Sequence, residues 1–205
     1  MKGDIKMTAS RILPNMTRLT SASFSAVSAD QWYAKNPQLF ATEIKLMQEH
    51  FPSATYGFLR DGTMIWRVKM DINPKGSRAR PFDPWEMLIV YDKDHPHNLT
   101  YGGSIHLVPL SPSYDKLRRR AIKAGYRGVP HMIAGLKVDG KEYNYLCTRI
   151  PKDVEDGREH ACSAAKAMTW AADWALHYEL CMRGDKALWN QWVDDYHFSD
   201  WKVAI

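Results

Sequence analysis

Cys147 follows a short aromatic run that has the pattern of a strand, Glu142–Leu146. An approach strand over His131–Val138 precedes it, and the two runs are separated by Asp139-Gly140. Asp-Gly between apolar or aromatic runs predicts a β-hairpin turn. A thiol at the end of such a strand, two residues before Arg149, has the features of a nucleophile, because a nearby cation favours the thiolate. The alternative is a small buried hydrophobic side chain, which is the usual place of a free cysteine.

Further polar side chains in and after this stretch are candidate site residues. His131, at the start of the approach strand, is a candidate cation beside the thiol. Asn144 lies three positions before Cys147, and Asp153 and Glu155 follow it. The competing interpretation of each is a solvated polar group.

The elements that position these residues predict an α+β fold. A first helix, capped by Ser28 or Asp30, has its regular part starting at Pro37 and ends before Pro52. An antiparallel meander of about four strands follows, ahead of a short basic helix within residues 111–128. The meander strands are predicted over 54–59, 64–72, 85–91 and 103–110.

A long closing helix is predicted from Arg158 to Arg183, stopped by Gly184. One stripe of this helix carries large residues and is predicted to be core: Trp170, Trp174, Tyr178 and Cys181. Another face carries small residues that allow close approach to a sheet, from Ala161 to Ala175. The remaining segment, 188–205, carries three tryptophans and is predicted to wrap onto the domain.

Composition predicts one globular domain over residues 29–205, preceded by a flexible basic arm over residues 1–28. Of the 205 residues, 45% are hydrophobic and 25% charged, which is ordinary for a globular protein. No apolar run is long enough for a membrane span. Three cysteines without metal-ligand spacing indicate a reduced, cytoplasmic protein. A net charge of +5 allows an acidic partner without indicating specific nucleic-acid binding. The chain has no glycine-rich nucleotide loop, and no cofactor is predicted.

A series of short motifs completes the pattern. They are F-P at 51–52, D-G-x-x-x-W at 61–66, Y-x-x-x-x-P at 91–96, G-G-S-I-H-L-V-P at 102–109, P-H at 130–131, D-G at 139–140, Y-L-C at 145–147 and W-A-A-D-W-A-L-H-Y-E at 170–179. In order and spacing they resemble the ubiquitin-conjugating enzymes, and the last motif resembles the closing helix of the bacterial branch. The resemblance covers residues 30–192.

This resemblance implies the ubiquitin-conjugating-enzyme fold, with Cys147 as the thioester-forming nucleophile. It also implies acyl transfer to an amine, with Asn144 or His131 as hydrogen-bond donor to the oxyanion and Asp153 or Glu155 orienting the amine. Two departures matter. The eukaryotic His-Pro-Asn triplet lies shortly before the cysteine, whereas His95-Pro96-His97-Asn98 comes far earlier. A shorter alignment would put His106 at the cysteine position and imply an inactive enzyme. Cys147 is preferred because the closing helix follows it closely.

The bacterial relatives that the chain resembles are the stand-alone conjugating enzymes of cyclic-oligonucleotide antiphage signalling systems (CBASS). The implied partners are the C-terminus of a nucleotidyltransferase similar to cyclic GMP-AMP synthase, or of a ubiquitin-like protein, and a protein that carries the target lysine. Because the chain lacks an adenylating domain, activation of the acyl group must come from another protein.

Three other functions remain open from the sequence. A non-catalytic binding module of the same fold would keep Cys147 as core. A cysteine hydrolase or transferase would use Cys147 with His131, or Cys162 with His160. A nucleic-acid-binding protein would use the basic segment Lys116–Lys123 together with Arg78 and Arg80.

Overall fold

A four-stranded antiparallel sheet lies between helices on one face and a β-hairpin on the other. The structure is a computed structural model, and it describes residues 29–74, 80–96, 103–147, 163–195 and 199–204. The helices are α1 Trp32–Lys35, α2 Pro37–His50, α3 Tyr114–Lys123, α4 Ala164–Met182 and α5 Lys186–Asp194, with a 3-10 helix at Ser199–Trp201. The strands are β1 Thr55–Phe58, β2 Met64–Met70, β3 Trp85–Tyr91, β4 Ile105–Ser111, β5 Met132–Val138 and β6 Lys141–Leu146.

The sheet is a meander in which β1 to β4 lie side by side in chain order. Trp66 of β2 is opposite Ile89 of β3, and Ile89 is opposite Leu107 of β4. Six of the seven residues of β3 are buried, because both faces of the sheet are covered. A strand covered on both faces is expected to be apolar along its whole length, and the predicted bounds of β3 are confirmed.

Side chains alternate between the two faces of the sheet and form two separate apolar clusters. The helix-side core contains Trp66, Trp85 and Ile89 together with residues of α2, α4 and α5. The hairpin-side cluster consists of six buried aliphatic residues: Leu59, Ile65, Leu88, Val90, Val108 and Val138. Tyr143 and Tyr145 of β6 pack against the hairpin-side cluster. The β5–β6 hairpin thus covers the meander through side chains, as a two-stranded sheet of its own.

Helix α2 begins at Pro37, as predicted, because proline at the first position loses no intrahelical hydrogen bond. The cap of α2 differs from the predicted Ser28 or Asp30. Asn36 accepts a hydrogen bond from the Leu39 amide at 3.0 Å, and the short helix α1 precedes it. Residue 28 and those before it, including the predicted arm, lie outside the described residues.

The closing helix α4 begins after Ser163, whose hydroxyl accepts a hydrogen bond from the Lys166 amide at 3.1 Å. Residues 158–162, where the sequence predicts the first turns of this helix, lie outside the described residues. The predicted stop at Gly184 is confirmed. Gly184 has a φ of 104°. Its amide donates a hydrogen bond to the Cys181 carbonyl, and the Asp185 amide donates one to the Leu180 carbonyl. This is the Schellman arrangement, which a residue without Cβ favours.

The predicted core stripe of α4 is confirmed except at its N-terminal member. Trp174, Tyr178 and Cys181 are buried, with the Trp174 and Tyr178 rings stacked at 5.7 Å. Trp170 is 37% exposed and contacts the Lys166 ammonium at 5.7 Å, so its assignment to the core was wrong. The small-residue face is buried against the sheet and α2, as predicted for Ala164, Ala165, Met168, Ala171 and Ala175.

A buried carboxyl joins α2 to the start of α4. Glu43 accepts hydrogen bonds from the Tyr91 hydroxyl at 2.6 Å and from the Ala164 amide at 2.9 Å. Burial raises the pKa of Glu43, and the two donors oppose that rise. The first turn of α4, which has unpaired amides like any helix N-terminus, is thereby held at a defined position relative to the sheet.

The described chain is thus an α+β protein with a four-stranded antiparallel sheet and a long C-terminal helix. Within the described ranges, every helix is too short or too polar to cross a membrane.

Candidate functional site

The β5–β6 hairpin delivers Cys147 to the end of its second strand. Asp139 at φ 48 and Gly140 at φ 77 form the connecting turn, as the Asp-Gly pair predicts. The strand pairing continues one residue past β6, because the Cys147 amide donates to the His131 carbonyl at 2.8 Å. Cys147 is half-buried. The thiol is therefore carried on a backbone held by the ladder.

His131 and Cys147 are brought together through the backbone, whereas the His131 side chain faces the helices. Its ring is 6% exposed and stacks on Trp192 of α5, with centroids 6.0 Å apart. The backbone of His131 is left-handed, at φ 59, a conformation in which histidine is among the enriched residue types. His131 thus connects the end of the hairpin to the C-terminal helix pair.

Burial lowers the pKa of His131 to about 4, against a smaller opposing effect of its hydrogen bond with the Trp192 backbone. The imidazole is therefore neutral at pH 7. A neutral ring supplies no positive charge to a thiolate, which corrects the expectation that His131 acts as a cation beside Cys147. The other predicted cation, Arg149, lies outside the described residues.

Asn144 is in β6, three positions before Cys147. Successive side chains of a strand point to opposite faces, so residues at an odd separation lie on different sides. Leu146, which shares the parity of Asn144, is buried in the helix-side core, whereas Tyr145 packs on the hairpin-side cluster. The alternation separates Asn144 from the thiol. Asp153 and Glu155 lie outside the described residues.

A tyrosine on the strand face of Cys147, and two residues linked to its ring, were not among the predicted site residues. Tyr145 is two residues before Cys147, at the spacing that shares a strand face. The His106 ring contacts the Tyr145 ring edge-to-face, with centroids 4.6 Å apart. Nε2 of His106 lies 2.8 Å from Oδ1 of Asp92, which directly follows β3. Strand alternation could have indicated Tyr145, but the approach of Asp92 and His106 depends on how the hairpin packs over the meander.

The other cysteines offer less for nucleophilic chemistry. Cys181 is fully buried in α4, and burial raises the pKa of its thiol to about 12. A thiol with that pKa is almost entirely protonated near neutral pH. Cys162 and its neighbour His160 lie outside the described residues. Among the cysteines that the structure describes, Cys147 is the one with an accessible position.

The basic segment forms α3, and its cations are divided between a solvated face and one ion pair. Lys116, Arg118, Arg119 and Lys123 are exposed. Arg120 donates two hydrogen bonds to Glu179 of α4, at 2.8 and 2.6 Å. The helix contacts the core through Leu117 and Ala121. This arrangement is typical of a surface helix. Arg78 lies outside the described residues.

No group of three or more His, Cys, Asp or Glu side chains within metal-binding reach occurs in the described ranges.

Comparison of the chain with protein-family models, curated proteins and solved structures yielded no match.

Proposed function

We propose that the chain is an acyl carrier of the ubiquitin-conjugating-enzyme type, with Cys147 as its nucleophile. The observation that carries this proposal is a half-buried cysteine held at the end of a β-hairpin, between a four-strand meander and a long closing helix. That element order agrees with the resemblance of the sequence motifs. The proposed acyl donor is the C-terminus of a nucleotidyltransferase similar to cyclic GMP-AMP synthase, or of a ubiquitin-like protein. The reaction would prime antiphage signalling.

In the loading step, Sγ of Cys147 attacks the carbonyl carbon of the activated C-terminus. Another protein supplies this group as an acyl adenylate or a thioester. The new S–C bond forms, the bond to the previous leaving group breaks, and the thiol proton passes to solvent. A separate activating protein is required because the energy of the thioester must come from such a donor.

In the transfer step, a lysine amine of the target attacks the thioester carbonyl. The C–N bond forms, the S–C bond breaks, and Cys147 leaves as a thiolate with the electron pair. The ammonium proton passes to solvent or a nearby base. His131 contributes as a positioning residue, because its carbonyl holds the Cys147 amide at 2.8 Å while its ring is neutral.

The test is co-expression with the neighbouring genes, followed by non-reducing gels of the wild type, Cys147→Ser and Cys147→Ala. The wild type should show a higher-mass band that dithiothreitol removes, because thiols cleave thioesters. Cys147→Ser should give a reductant-resistant oxyester, and Cys147→Ala no band. Cys162→Ser is the matched control, since it also removes one thiol, and it should retain the wild-type band.

Alkylation gives a measurement that needs no partner. Limiting iodoacetamide should modify Cys147 before Cys181, because the Cys181 side chain is fully buried.

On the non-reducing gels, a higher-mass band that persists in Cys147→Ala would contradict the assignment of the nucleophile. Absence of a band in all variants, with the nucleotidyltransferase present, would favour a non-catalytic binding module.

A further inference from the structure

The strand face that carries Cys147 also carries a tyrosine. Tyr145 and Cys147 are two residues apart, and the ladder continues through the Cys147 amide, so the strand alternation extends to the cysteine. Side chains at this separation are neighbours on one face, with Cα atoms about 6–7 Å apart. Tyr143 lies on the same face but two residues farther from the thiol. Of the polar side chains of β6, the Tyr145 hydroxyl is on the face of the thiol and next to it.

The Tyr145 ring is held from the opposite side by β3 and β4. His106 meets it edge-to-face at 4.6 Å and 72°, and Asp92 holds the His106 ring at 2.8 Å. His106 is 5% exposed, and its Nδ1 has no hydrogen-bond partner among the described residues. A buried, unsatisfied nitrogen is costly unless a ligand or water meets it. The His106 ring that contacts Tyr145 therefore keeps one buried nitrogen that the described residues leave unsatisfied.

The Tyr145 hydroxyl makes no hydrogen bond to any residue that the structure describes, so its proton is available. Burial, followed by the nearby Asp92 and Cys147, raises the pKa of Tyr145. The phenol therefore keeps its proton near neutral pH. A neutral phenol donates one hydrogen bond and has a fixed reach from its ring.

We propose that the Tyr145 hydroxyl donates a hydrogen bond to the oxyanion that forms when an amine attacks the thioester on Cys147. This inference rests on the proposed function and names the residue that stabilises its transition state. Tyr145 takes the role that the sequence offered to Asn144. His106 and Asp92 act as positioning residues, because they fix the ring before charge develops, and donors held in advance are the effective ones.

The experiment uses a chemical acyl donor, so that it does not depend on the partner protein. p-Nitrophenyl acetate acylates Cys147: the S–C bond forms, and nitrophenolate leaves with the electron pair. Peptide mapping quantifies the S-acetyl group as the fraction removed by dithiothreitol. After desalting, free lysine is added, and the loss of S-acetyl is followed in a single turnover. Tyr145→Phe is compared with the wild type and with the matched control Tyr143→Phe, which loses the same hydroxyl farther from the thiol.

We expect Tyr145→Phe to slow aminolysis on the order of 100-fold, as loss of one oxyanion donor does in other acyl-transfer sites. Tyr145→Phe should lower the aminolysis rate at saturating lysine. The lysine concentration that gives half of that rate should stay unchanged. Tyr143→Phe should react at the wild-type rate. Tyr145→Phe should keep the wild-type melting temperature, because its ring contact with His106 is retained.

Equal aminolysis rates for Tyr145→Phe and the wild type would overturn the inference, and so would an equal loss in Tyr143→Phe. Failure of the proposed function gives a different result. In that case no reductant-sensitive band forms with the partner, while aminolysis of the chemically acylated Cys147 still depends on Tyr145. A partner band without any Tyr145 effect would overturn only the assignment of the donor.

Discussion

Buried His131 predicts a specific loss of stability in mild acid. Its ring is neutral in the folded protein, with a pKa near 4, whereas a histidine in the unfolded chain has an ordinary value of 6.5. Below the unfolded value, the unfolded state binds a proton that the folded state excludes. The free energy of unfolding therefore keeps its full value, as far as His131 is concerned, above pH 6.5. It decreases as the pH falls from 6.5 toward 4.

The magnitude follows from these two values. Between pH 7 and pH 5, the unfolded histidine becomes protonated while the folded one stays neutral, which lowers the free energy of unfolding by about 2 kcal/mol. Below pH 4 the loss levels off at roughly 3 kcal/mol. His131 is 6% exposed, so solvent screening reduces these figures little.

Urea unfolding at pH 7 and pH 5 measures the pH-dependent loss of unfolding free energy in the wild type and in His131→Asn. Asparagine tolerates the left-handed backbone at this position and has no titratable group. Loss of the Trp192 contact lowers stability equally at both pH values and cancels in the difference between them. The pH-dependent loss should therefore be smaller in His131→Asn by about 2 kcal/mol.

His50→Asn is the matched control, since it removes the same titratable side chain from an exposed position at the end of α2. The pH dependence of the wild type should be retained in this variant. If His131→Asn loses as much stability between the two pH values as the wild type, His131 is not the buried neutral group described above.

Two further predictions concern packing and charge around α4. Trp174→Ala should lower the free energy of unfolding by about 3–5 kcal/mol, because it loses the transfer free energy of the ring and leaves a cavity. Trp170→Ala, at an exposed position, should lower it by less than about 1 kcal/mol. Equal losses for the two variants in denaturant titrations would contradict the difference in burial. Glu179→Gln should cost about 2 kcal/mol, because Arg120 loses a partner that is 9% exposed. Asp200→Asn, in an exposed ion pair, should change stability by below about 1 kcal/mol in the same assay.

Much of the fold could be predicted because local signals and tertiary packing agree. The β3 bounds follow from a continuous apolar run, and the start of α2 and the end of α4 follow from Pro37 and Gly184. Helix α1 was missed, since a four-residue helix carries no periodic pattern. Trp170 was misassigned because periodicity identifies a helix face without showing how far along the helix a neighbouring element covers it.

The candidate site was predicted only in part. Cys147 and His131 could be named from motifs and a turn signal, and the structure joins them by a backbone hydrogen bond. The neutral state of His131 depends on burial against Trp192, which lies far along the chain. Asn144 was chosen by its nearness in sequence, whereas alternation along the strand brings Tyr145 to the face of the thiol. The contact of Tyr145 with His106 depends on how two sheets pack, which a single sequence does not encode locally.

The separation of the two apolar clusters affects how this protein can tolerate mutation. The hairpin that carries Cys147 contributes Val138 to the hairpin-side cluster and packs on its five other aliphatic residues, whereas most of the large aromatic rings belong to the helix-side core. Volume-conserving exchanges among aliphatic residues cost below about 1.5 kcal/mol each. Such exchanges would shift the hairpin over the meander by small steps, while the aromatic core keeps the chain folded. The end of the hairpin beside Cys147 stays anchored through such exchanges, because Leu146 belongs to the helix-side core.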